Sequence, residues 1–525
     1  MKIYSFKLLT FVLLFASMLI SCSKDKGNYD YKKLDPVAIN VTNIAPTYAL
    51  LRFEYLDIKP VVTYKGEVVN PAKPQFPELS FSWEMYPAQA FASIVEKHTL
   101  ANTLELHYQM IEKELNWEVL FTVTNTNTGV KTFAKFGAAI TPVLAEGWMV
   151  LYEKNGNTDV GIIVNNEISK AATTEKVFLD LYANSNGASL DGTPVSIVYS
   201  KANFPTTVSL YVVSSKDVAN VATNTFQKIA DANKGMFWTK PATIAPSFLA
   251  TTEGRKDFLI SNNKLHSVDY TIIAPGERAF GDALGGTYGK LAPWLSVSPA
   301  PAAFDVIIYD QTNKKFMKVA RTGAEVIPFT TTQSVAAKFD VNNVGLDFMF
   351  NDIGWNNWDY FIMKDNANAN KYYMLSANFR GGEVALIGQN KYDMSNCPEV
   401  ASINSMTTGY LGEIFYYSAT NHLYQYKYTP GVTDLMWTAP ANEQITNIAL
   451  QKYINTNRGS GVLYDPKNLC KILYVATYND ATKVGTVYQL EVNPISGAII
   501  TAPGTEKKYT GFGKIKSMAW KLPIK

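Results

Sequence analysis

The chain has 525 residues with 48 basic and 45 acidic side chains, which gives a formal net charge of +3. No basic block or acidic tail occurs, so the composition favours neither nucleic-acid binding nor a partner that is recognised mainly by charge. The length leaves room for several domains. Aromatic residues make up 13% of the chain and charged residues only 18%, a balance that favours β-sheets over helices.

Residues 1–21 are predicted to be a signal peptide. Lys2 and Lys7 form a short positive region before an apolar run, 8–20, which is shorter than the roughly 20 residues of a membrane-spanning helix. The run ends in Leu-Ile-Ser before Cys22, a pattern that resembles a lipobox. The Cys22 thiol would take a diacylglycerol as a thioether, and acyl chains contribute about 0.8 kcal/mol per buried methylene. The alternative is an ordinary signal peptide followed by an accidental cysteine.

The mature chain is predicted to begin with a tether and a small domain. Residues 22–33 are polar and cannot bury enough apolar surface to fold alone, so they are interpreted as a lipidated tether. Residues 34–142 alternate apolar and polar side chains in short runs, which predicts an Ig/PKD-like β-sandwich with Trp83 in its core. A short helix is favoured only at 111–115. Strands are predicted at 37–41, 60–64, 79–85, 103–108, 117–123 and 130–136.

Residues 143–525 carry a recurring hairpin pattern that predicts a β-propeller of about seven blades. The distances between successive hairpin starts run from 47 to 62 residues, against about 40–50 for known propeller repeats. A last strand at 515–520 is placed to complete the first blade and so to remove free sheet edges. Two packed sandwiches are the alternative. The hairpins begin at residues 148, 195, 257, 304, 358, 413 and 461.

Motifs for catalysis or for a cofactor are not found. Only four histidines occur, and no His-Glu-x-x-His pair for zinc or Gly-x-Ser-x-Gly elbow for a hydrolase is present. His266 and His422 fall on or beside predicted strands, where a structural role is favoured. The sequence therefore predicts no catalytic residue, no metal ligand and no cofactor, although folding could still bring an acidic pair together.

Four tryptophans are the candidate ligand-binding residues, since an indole face stacks on the apolar face of a sugar ring. Trp355 and Trp358 lie among amide side chains at the entry to a blade, and Trp294 and Trp238 fall in connecting segments. Packing between blades is the competing role. It is favoured for Trp358, whereas for Trp355 both roles stay open.

Cys397 and Cys470 are the remaining cysteines of the mature chain. Export permits a disulfide between them. Two separate buried thiols are the alternative.

Several segments resemble the PKD-like family lipoproteins of Bacteroidota. They are Asp-Lys-Gly-Asn-Tyr-Asp-Tyr at 25–31, Phe-Ser-Trp at 81–83, Thr-Val-Thr-Asn at 122–125, Thr-Gly-Val at 128–130 and Glu-Gly-Trp-Met-Val-Leu at 146–151. The resemblance implies a lipid-anchored protein of the outer membrane that faces the cell exterior. It also implies a partnership with a SusC/SusD-like transporter and the capture of a glycan or peptide for import, and it brings no catalytic residues.

Three functions follow as hypotheses. The first is a non-catalytic binding and assembly module for nutrient uptake, with the membrane and the transporter as partners. The second is a propeller enzyme that cleaves glycans as a hydrolase or a lyase. Such an enzyme would require acids, Tyr, His or Arg clustered in the central channel. The third is a purely structural partner of the transporter that binds no ligand.

Overall fold

The computed structural model describes residues 35–522 apart from 89–96, 142–145, 170, 171, 173, 174, 204, 205, 253–255, 270–278, 297–303, 322, 369, 429, 430 and 453–466. The predicted signal peptide, Cys22 and the tether therefore lie outside the described residues. Two compact units are formed. The first contains the described residues up to Ala49 with Tyr55–Tyr108 and Asn116–Ala139, and the second contains Leu50–Glu54, Gln109–Leu115 and the chain from Ile140 onward. Within the described part, no helix has the length and hydropathy to cross a membrane.

The first unit is a β-sandwich of antiparallel strands. Its sheets have the orders β1-β4-β5 and β2-β10-β9-β6-β7, and β3 pairs with β8 in a small ribbon. The strands are β1 Val37–Asn40, β2 Thr47–Leu51, β3 Tyr55–Ile58, β4 Val61–Tyr64, β5 Glu67–Val68, β6 Leu79–Pro87, β7 His98–Ala101, β8 Leu106–Gln109, β9 Asn116–Asn125 and β10 Lys131–Thr141.

The core of the sandwich is built on Trp83, which is fully buried on β6. Its ring stacks on Phe121 at a centroid distance of 4.3 Å, and its Nε1 donates to the Thr103 carbonyl oxygen at 2.9 Å. Alternate residues of β9 point inward, as the period of two in a strand requires. The predicted core position of Trp83 is confirmed.

The described part of the second unit contains seven antiparallel sheets, numbered here as blades 1 to 7 in the order of their first strands along the chain. Within the same residues, one short α-helix, α1 Leu181–Asn186, follows blade 1. Blades 1 and 2 comprise β11 Gly147–Lys154, β12 Asn157–Val164, β13 Lys176–Phe178, β14 Pro194–Asn203, β15 Thr206–Ser214, β16 Val218–Val221 and β17 Lys228–Ala230. Blades 3 and 4 comprise β18 Pro246–Thr252, β19 Lys256–Ser261, β20 Lys264–Asp269, β21 Leu291–Ser296, β22 Phe304–Asp310, β23 Lys315–Ala320 and β24 Val326–Pro328.

Blades 5 to 7 complete the unit, and a last strand joins blade 1. Blades 5 and 6 comprise β25 Asp347–Ile353, β26 Asp359–Asp365, β27 Lys371–Ala377, β28 Gly388–Asp393, β29 Ile403–Thr408, β30 Phe415–Ala419, β31 His422–Lys427 and β32 Val432–Thr438. Blade 7 and the last strand comprise β33 Glu443–Leu450, β34 Ile472–Asn479, β35 Val484–Glu491, β36 Lys507–Phe512 and β37 Lys514–Lys521.

Seven apolar clusters join the blades, each containing side chains of two consecutive sheets. The seventh lies between blade 7 and blade 1, where Trp148 stacks on Tyr474 at 4.1 Å. β37 pairs with β11 from Gly147 opposite Lys521 to Glu153 opposite Lys514. The sheets therefore close into a seven-bladed propeller, and the predicted closing strand is confirmed.

Six of the seven predicted hairpins are present. In the seventh, the strand predicted at 461–464 lies outside the described residues, and the returning strand at 471–475 falls in β34, which pairs with β33 and β35. Blade 3 has three regular strands. Beside its outer strand β20, the backbone amides of Gly281 and Leu284 donate to the carbonyl oxygens of Ser267 and Leu265 at 3.1 and 2.8 Å.

Segments 50–54 and 109–115 are part of the second unit although the sandwich strands flank them. The Phe53 amide donates to the Met110 carbonyl oxygen at 2.7 Å, and the Met110 amide donates to that of Glu54 at 2.9 Å. Phe53 is 2% exposed and meets Phe178 edge-on at 6.3 Å, in the cluster between blades 1 and 2. The Ile111 carbonyl oxygen accepts from Arg52. The prediction of a short helix at 111–115 is wrong. The structure has no helix there, and the backbone of Met110 and Ile111 bonds to segment 52–54 instead.

Candidate ligand-binding site

The innermost strand is β37 in blade 1, and in the other blades it is the first strand along the chain, namely β14, β18, β21, β25, β29 and β33. Neighbouring inner strands contact one another around most of the ring. They run parallel, since Asn404 Nδ2 donates to the Ile445 carbonyl oxygen at 2.7 Å near their starts and the Leu450 amide donates to Thr407 Oγ1 at 3.3 Å near their ends. We call the end of the propeller at which the inner strands start the N face and the opposite end the C face.

A cavity of about 470 Å³ opens on the N face. Four inner strands of blades 1, 2, 6 and 7 contribute their first residues to it, so it lies at the mouth of the central channel. Its volume is in the range of roughly 300–1,000 Å³ typical of small-molecule sites. The lining residues are Glu153, Thr193, Pro194, Asn404, Gln444, Ile445, Thr446, Lys514, Ile515 and Lys516.

Two lysines of the closing strand face this cavity. Because side chains alternate along a strand, Lys514 and Lys516 are exposed on one face while Ile515 between them is 1% exposed in the core. Lys514 Nζ lies 5.8 Å from the centroid of the Tyr478 ring. Among the described residues, Lys516 Nζ has neither an ion pair nor a hydrogen bond. Glu153 faces Lys514 across the strand pair, but no ion pair within 4 Å joins them.

Neutral polar groups complete the cavity. Asn404 is fixed at both ends of its amide, because it donates to the Ile445 carbonyl oxygen at 2.7 Å and accepts from Ser418 Oγ at 2.6 Å. Gln444 is exposed, and its amide has no partner among the described residues. Such a set of ammonium, amide and hydroxyl groups can bind the hydroxyls and carboxylates of a polar ligand.

Trp294 and Trp358 pack between blades. Trp294 is 3% exposed and its ring lies 5.0 Å from that of Phe361 and 5.8 Å from that of Phe316, so it has no face free for a ligand. Trp358 is half-buried against the cluster between blades 5 and 6. The packing role favoured for Trp358 matches this position.

Trp355 lies on the C face in a tight turn between β25 and β26. It is half-buried against the same cluster, and Asn356 and Asn357 after it both adopt left-handed conformations, with φ of 60° and 55°. Arg380 Nη1 donates to the Asn356 carbonyl oxygen at 3.4 Å. A Cβ on Gly354 would lie 2.5 Å from the Thr408 hydroxyl, so the turn approaches blade 6 too closely for a side chain there.

Trp238 is the most exposed of the four candidates, at 57%. It lies in the connection from β17 to β18, which places it at the N face. Trp238 and Trp355 are therefore at opposite ends of the propeller, and the four tryptophans do not form one platform.

Buried and half-buried charged side chains at the C face connect neighbouring blades. Asp352 Oδ2 accepts from Thr407 Oγ1 and from the Thr408 amide, both at 2.9 Å, and from Lys452 Nζ at 2.5 Å. Asp359 accepts from Ser296 Oγ at 2.8 Å, and burial raises the pKa of its carboxyl to about 7. A buried pair links Lys256 to Asp305 at 2.9 Å. Each contact joins two blades, which is a structural role.

The histidines and cysteines of the propeller do not assemble into a reactive group. His266 Nδ1 lies 3.0 Å from the Gly281 carbonyl oxygen, and burial lowers its pKa. His422 Nδ1 lies 2.7 Å from Glu399 Oε2. Cys397 and Cys470 are separate free thiols. Within the described part of the chain, no three His, Cys, Asp or Glu side chains are grouped so that they could hold a metal ion.

Sequence comparison finds a family match in the amino-terminal third of the chain. Residues 22–194 match the model of the PKD-like family. The predicted likeness to this family is confirmed over that range, which covers the sandwich and the first three strands of blade 1. No curated protein matches the chain in sequence.

Solved structures similar to the chain include propeller-like proteins of low sequence identity. A quinoprotein alcohol dehydrogenase-like protein of Bacteroides thetaiotaomicron aligns over 94% of this chain and 100% of its own at 13% identity, with a TM-score of 0.47. The extracellular domain of a one-component system protein of the same species aligns over 90% and 64% at 9% identity and 0.38. Synechocystis apocarotenoid oxygenase aligns over 84% and 92% at 10% identity and 0.28. Likenesses with TM-scores this low carry no argument about function.

The polar residues of the channel mouth were not among the sequence-based candidates. The available signal was the alternation Lys514-Ile515-Lys516 at the start of the closing strand, since an inner strand that begins at a channel exposes every second side chain there. Asn404 and Gln444 carry no such signal, because single amides are common at strand starts.

Proposed function

We propose that this protein is a non-catalytic binding module of the bacterial cell surface. It is anchored to the outer membrane through a lipid on Cys22 and holds a glycan or peptide at the mouth of the propeller channel. From there it passes the ligand to a SusC/SusD-like transporter.

One observation carries the binding part of the proposal. The N-face cavity presents Lys516 and Gln444 with no hydrogen-bonding partners among the described residues, beside the fixed amide of Asn404. Polar side chains that face a cavity and have no protein partner are available to a ligand. The anchor and the transporter are supported by the lipobox pattern at Cys22 and by the PKD-like match over residues 22–194.

A pull-down from solubilised outer membranes, followed by glycan and peptide arrays, tests the function. We expect a SusC/SusD-like pair to co-purify and at least one array ligand to bind. Co-purification without any ligand would favour a purely structural partner, and conversion of a bound glycan would favour an enzyme.

Variants separate the two candidate binding regions. With an array ligand, Lys516→Ala should weaken binding about fivefold or more, because a charged or hydrogen-bonding contact at the mouth is lost. Trp355→Ala on the C face should leave the affinity unchanged, and a loss there instead would move the site to that turn.

The anchor has its own test. Metabolic labelling with a clickable fatty acid should mark the protein, and Cys22→Ser should abolish both the label and membrane association. A Cys22→Ser variant that stays membrane-bound would contradict the anchor.

A further inference from the structure

We infer that the ligand of the channel mouth is an acidic glycan that carries carboxylate groups. This inference rests on the proposed binding function and specifies the ligand class of the same cavity.

The net positive charge of the cavity lining favours a negatively charged ligand. Of the ten lining residues, two are lysines and one is a glutamate. Neither lysine forms an ion pair within the described residues, whereas Lys154 lies 2.6 Å from Asp180 and Lys216 lies 3.1 Å from Asp191. Two unpaired ammonium groups at one opening attract an anion.

The two lysines can contact separate carboxylates of one extended ligand. Lys514 and Lys516 both line the cavity at the start of β37, on either side of the buried Ile515 and beside the point where the pairing with β11 shifts register. One ammonium can contact one carboxylate, and the second can contact the next charge of the ligand.

The neutral groups favour a glycan over an acidic peptide. The amide of Gln444 is open to the hydroxyls of a sugar on both its donor and its acceptor side. The hydroxyls of Thr193 and Thr446 donate within the protein, to Ser215 Oγ at 3.2 Å and to the Ala476 carbonyl oxygen at 3.4 Å, and can still accept from a ligand. Pro194, Ile445 and Ile515 are buried, so they offer a side chain of a peptide little apolar surface to pack on.

Calorimetric titration of the full-length protein with tetragalacturonate, its methyl ester and tetraglutamate tests the inference. We expect tetragalacturonate to bind at least about tenfold more tightly than the ester, since the ester keeps the sugar and removes the charge. Raising the salt from 0.1 to 0.5 M should weaken binding about threefold, as expected for exposed charges. Glucuronate and mannuronate tetramers extend the test to other linkages.

Variants assign the effect to the two lysines. Lys514→Gln with Lys516→Gln should weaken tetragalacturonate binding about tenfold and leave binding of the ester unchanged. Lys508→Gln, a substitution of an exposed lysine on the outer strand β36, removes a charge outside the cavity and should have no effect. The circular dichroism spectrum checks that each variant is folded.

The outcomes separate this inference from the proposed function. Equal binding of acid and ester, weakened alike by Gln444→Ala, would overturn the acidic ligand while the binding function stands. Preferential binding of tetraglutamate would replace the glycan by a peptide. No binding of any of the three uronate oligomers would overturn the inference, and no binding of any array ligand would overturn the function as well.

Discussion

The buried carboxyl of Asp359 should make the propeller less stable as the pH rises. Asp359 is 2% exposed at the start of β26, and its oxygens accept from Ser296 Oγ at 2.8 Å and from Asn351 Nδ2 at 3.4 Å. Burial raises its pKa from 3.8 to about 7, and the nearby Asp352 carboxylate adds to the effect. Between about pH 4 and pH 7 the folded protein therefore retains a proton that the unfolded chain releases.

The sign and size of the effect follow from this proton. Because the folded state binds more protons in that window, the free energy of unfolding falls as the pH rises, and the stabilisation present below pH 4 is lost by pH 7. The total over about three pH units is of the order of 4 kcal/mol. Asp359→Asn removes the titration and keeps an oxygen that accepts from Ser296, so the variant should gain stability over the wild type as the pH rises.

Urea unfolding of wild type and variant at pH 4.5 and pH 8, followed by tryptophan fluorescence, measures the difference. We expect a small difference at pH 4.5 and a gain for Asp359→Asn of a few kcal/mol at pH 8. Asp480→Asn, a change of a 66%-exposed carboxylate in the same unit, controls for the loss of charge and should show no pH-dependent gain. A gain for Asp359→Asn that is equal at both pH values would refute the reasoning.

Three further substitutions test the packing around the propeller by urea unfolding. Phe53→Ala should cost about 3–5 kcal/mol, because a ring 2% exposed between blades is lost, whereas Phe133→Ala at 65% exposure should stay within about 0.5 kcal/mol. Gly354→Ala should lower the free energy of unfolding by about 1–3 kcal/mol, because its Cβ would lie 2.5 Å from a threonine hydroxyl. An unchanged stability would show that the turn can shift to accommodate the methyl group. Lys452→Met should cost about 3 kcal/mol because Asp352 loses its cation, and adding Asp352→Asn should recover much of the loss.

The middle strands of the blades could be predicted from sequence, but most of the innermost and outermost ones could not. Hairpins such as β22 and β23 consist mainly of apolar residues around a turn and are buried along nearly their whole length, since both strands are covered by neighbouring blades. β33 is not predicted because its first residues, Glu443 and Gln444, are polar and break the apolar pattern. A strand was assigned to 461–464 in its place.

The candidate site could not be predicted from the sequence for a related reason. Its residues are the starts of strands that lie far apart in the chain, from Pro194 to Lys516, and only closure of the ring brings them to one opening. The tryptophans are candidates from sequence only because of their residue type. The sequence does not show whether an indole faces a neighbouring blade, as that of Trp294 does, or solvent, as that of Trp238 does.

The pairing of β37 with β11 has a consequence for synthesis. Ribosomes make β11 long before β37, so a nascent chain can complete blades 2 to 7 while β11 of blade 1 still has a bare backbone edge. Such an edge invites pairing with a second chain. The interval before the last residues emerge is therefore when two copies are most prone to aggregate, and secretion machinery that delays folding until then would protect against it.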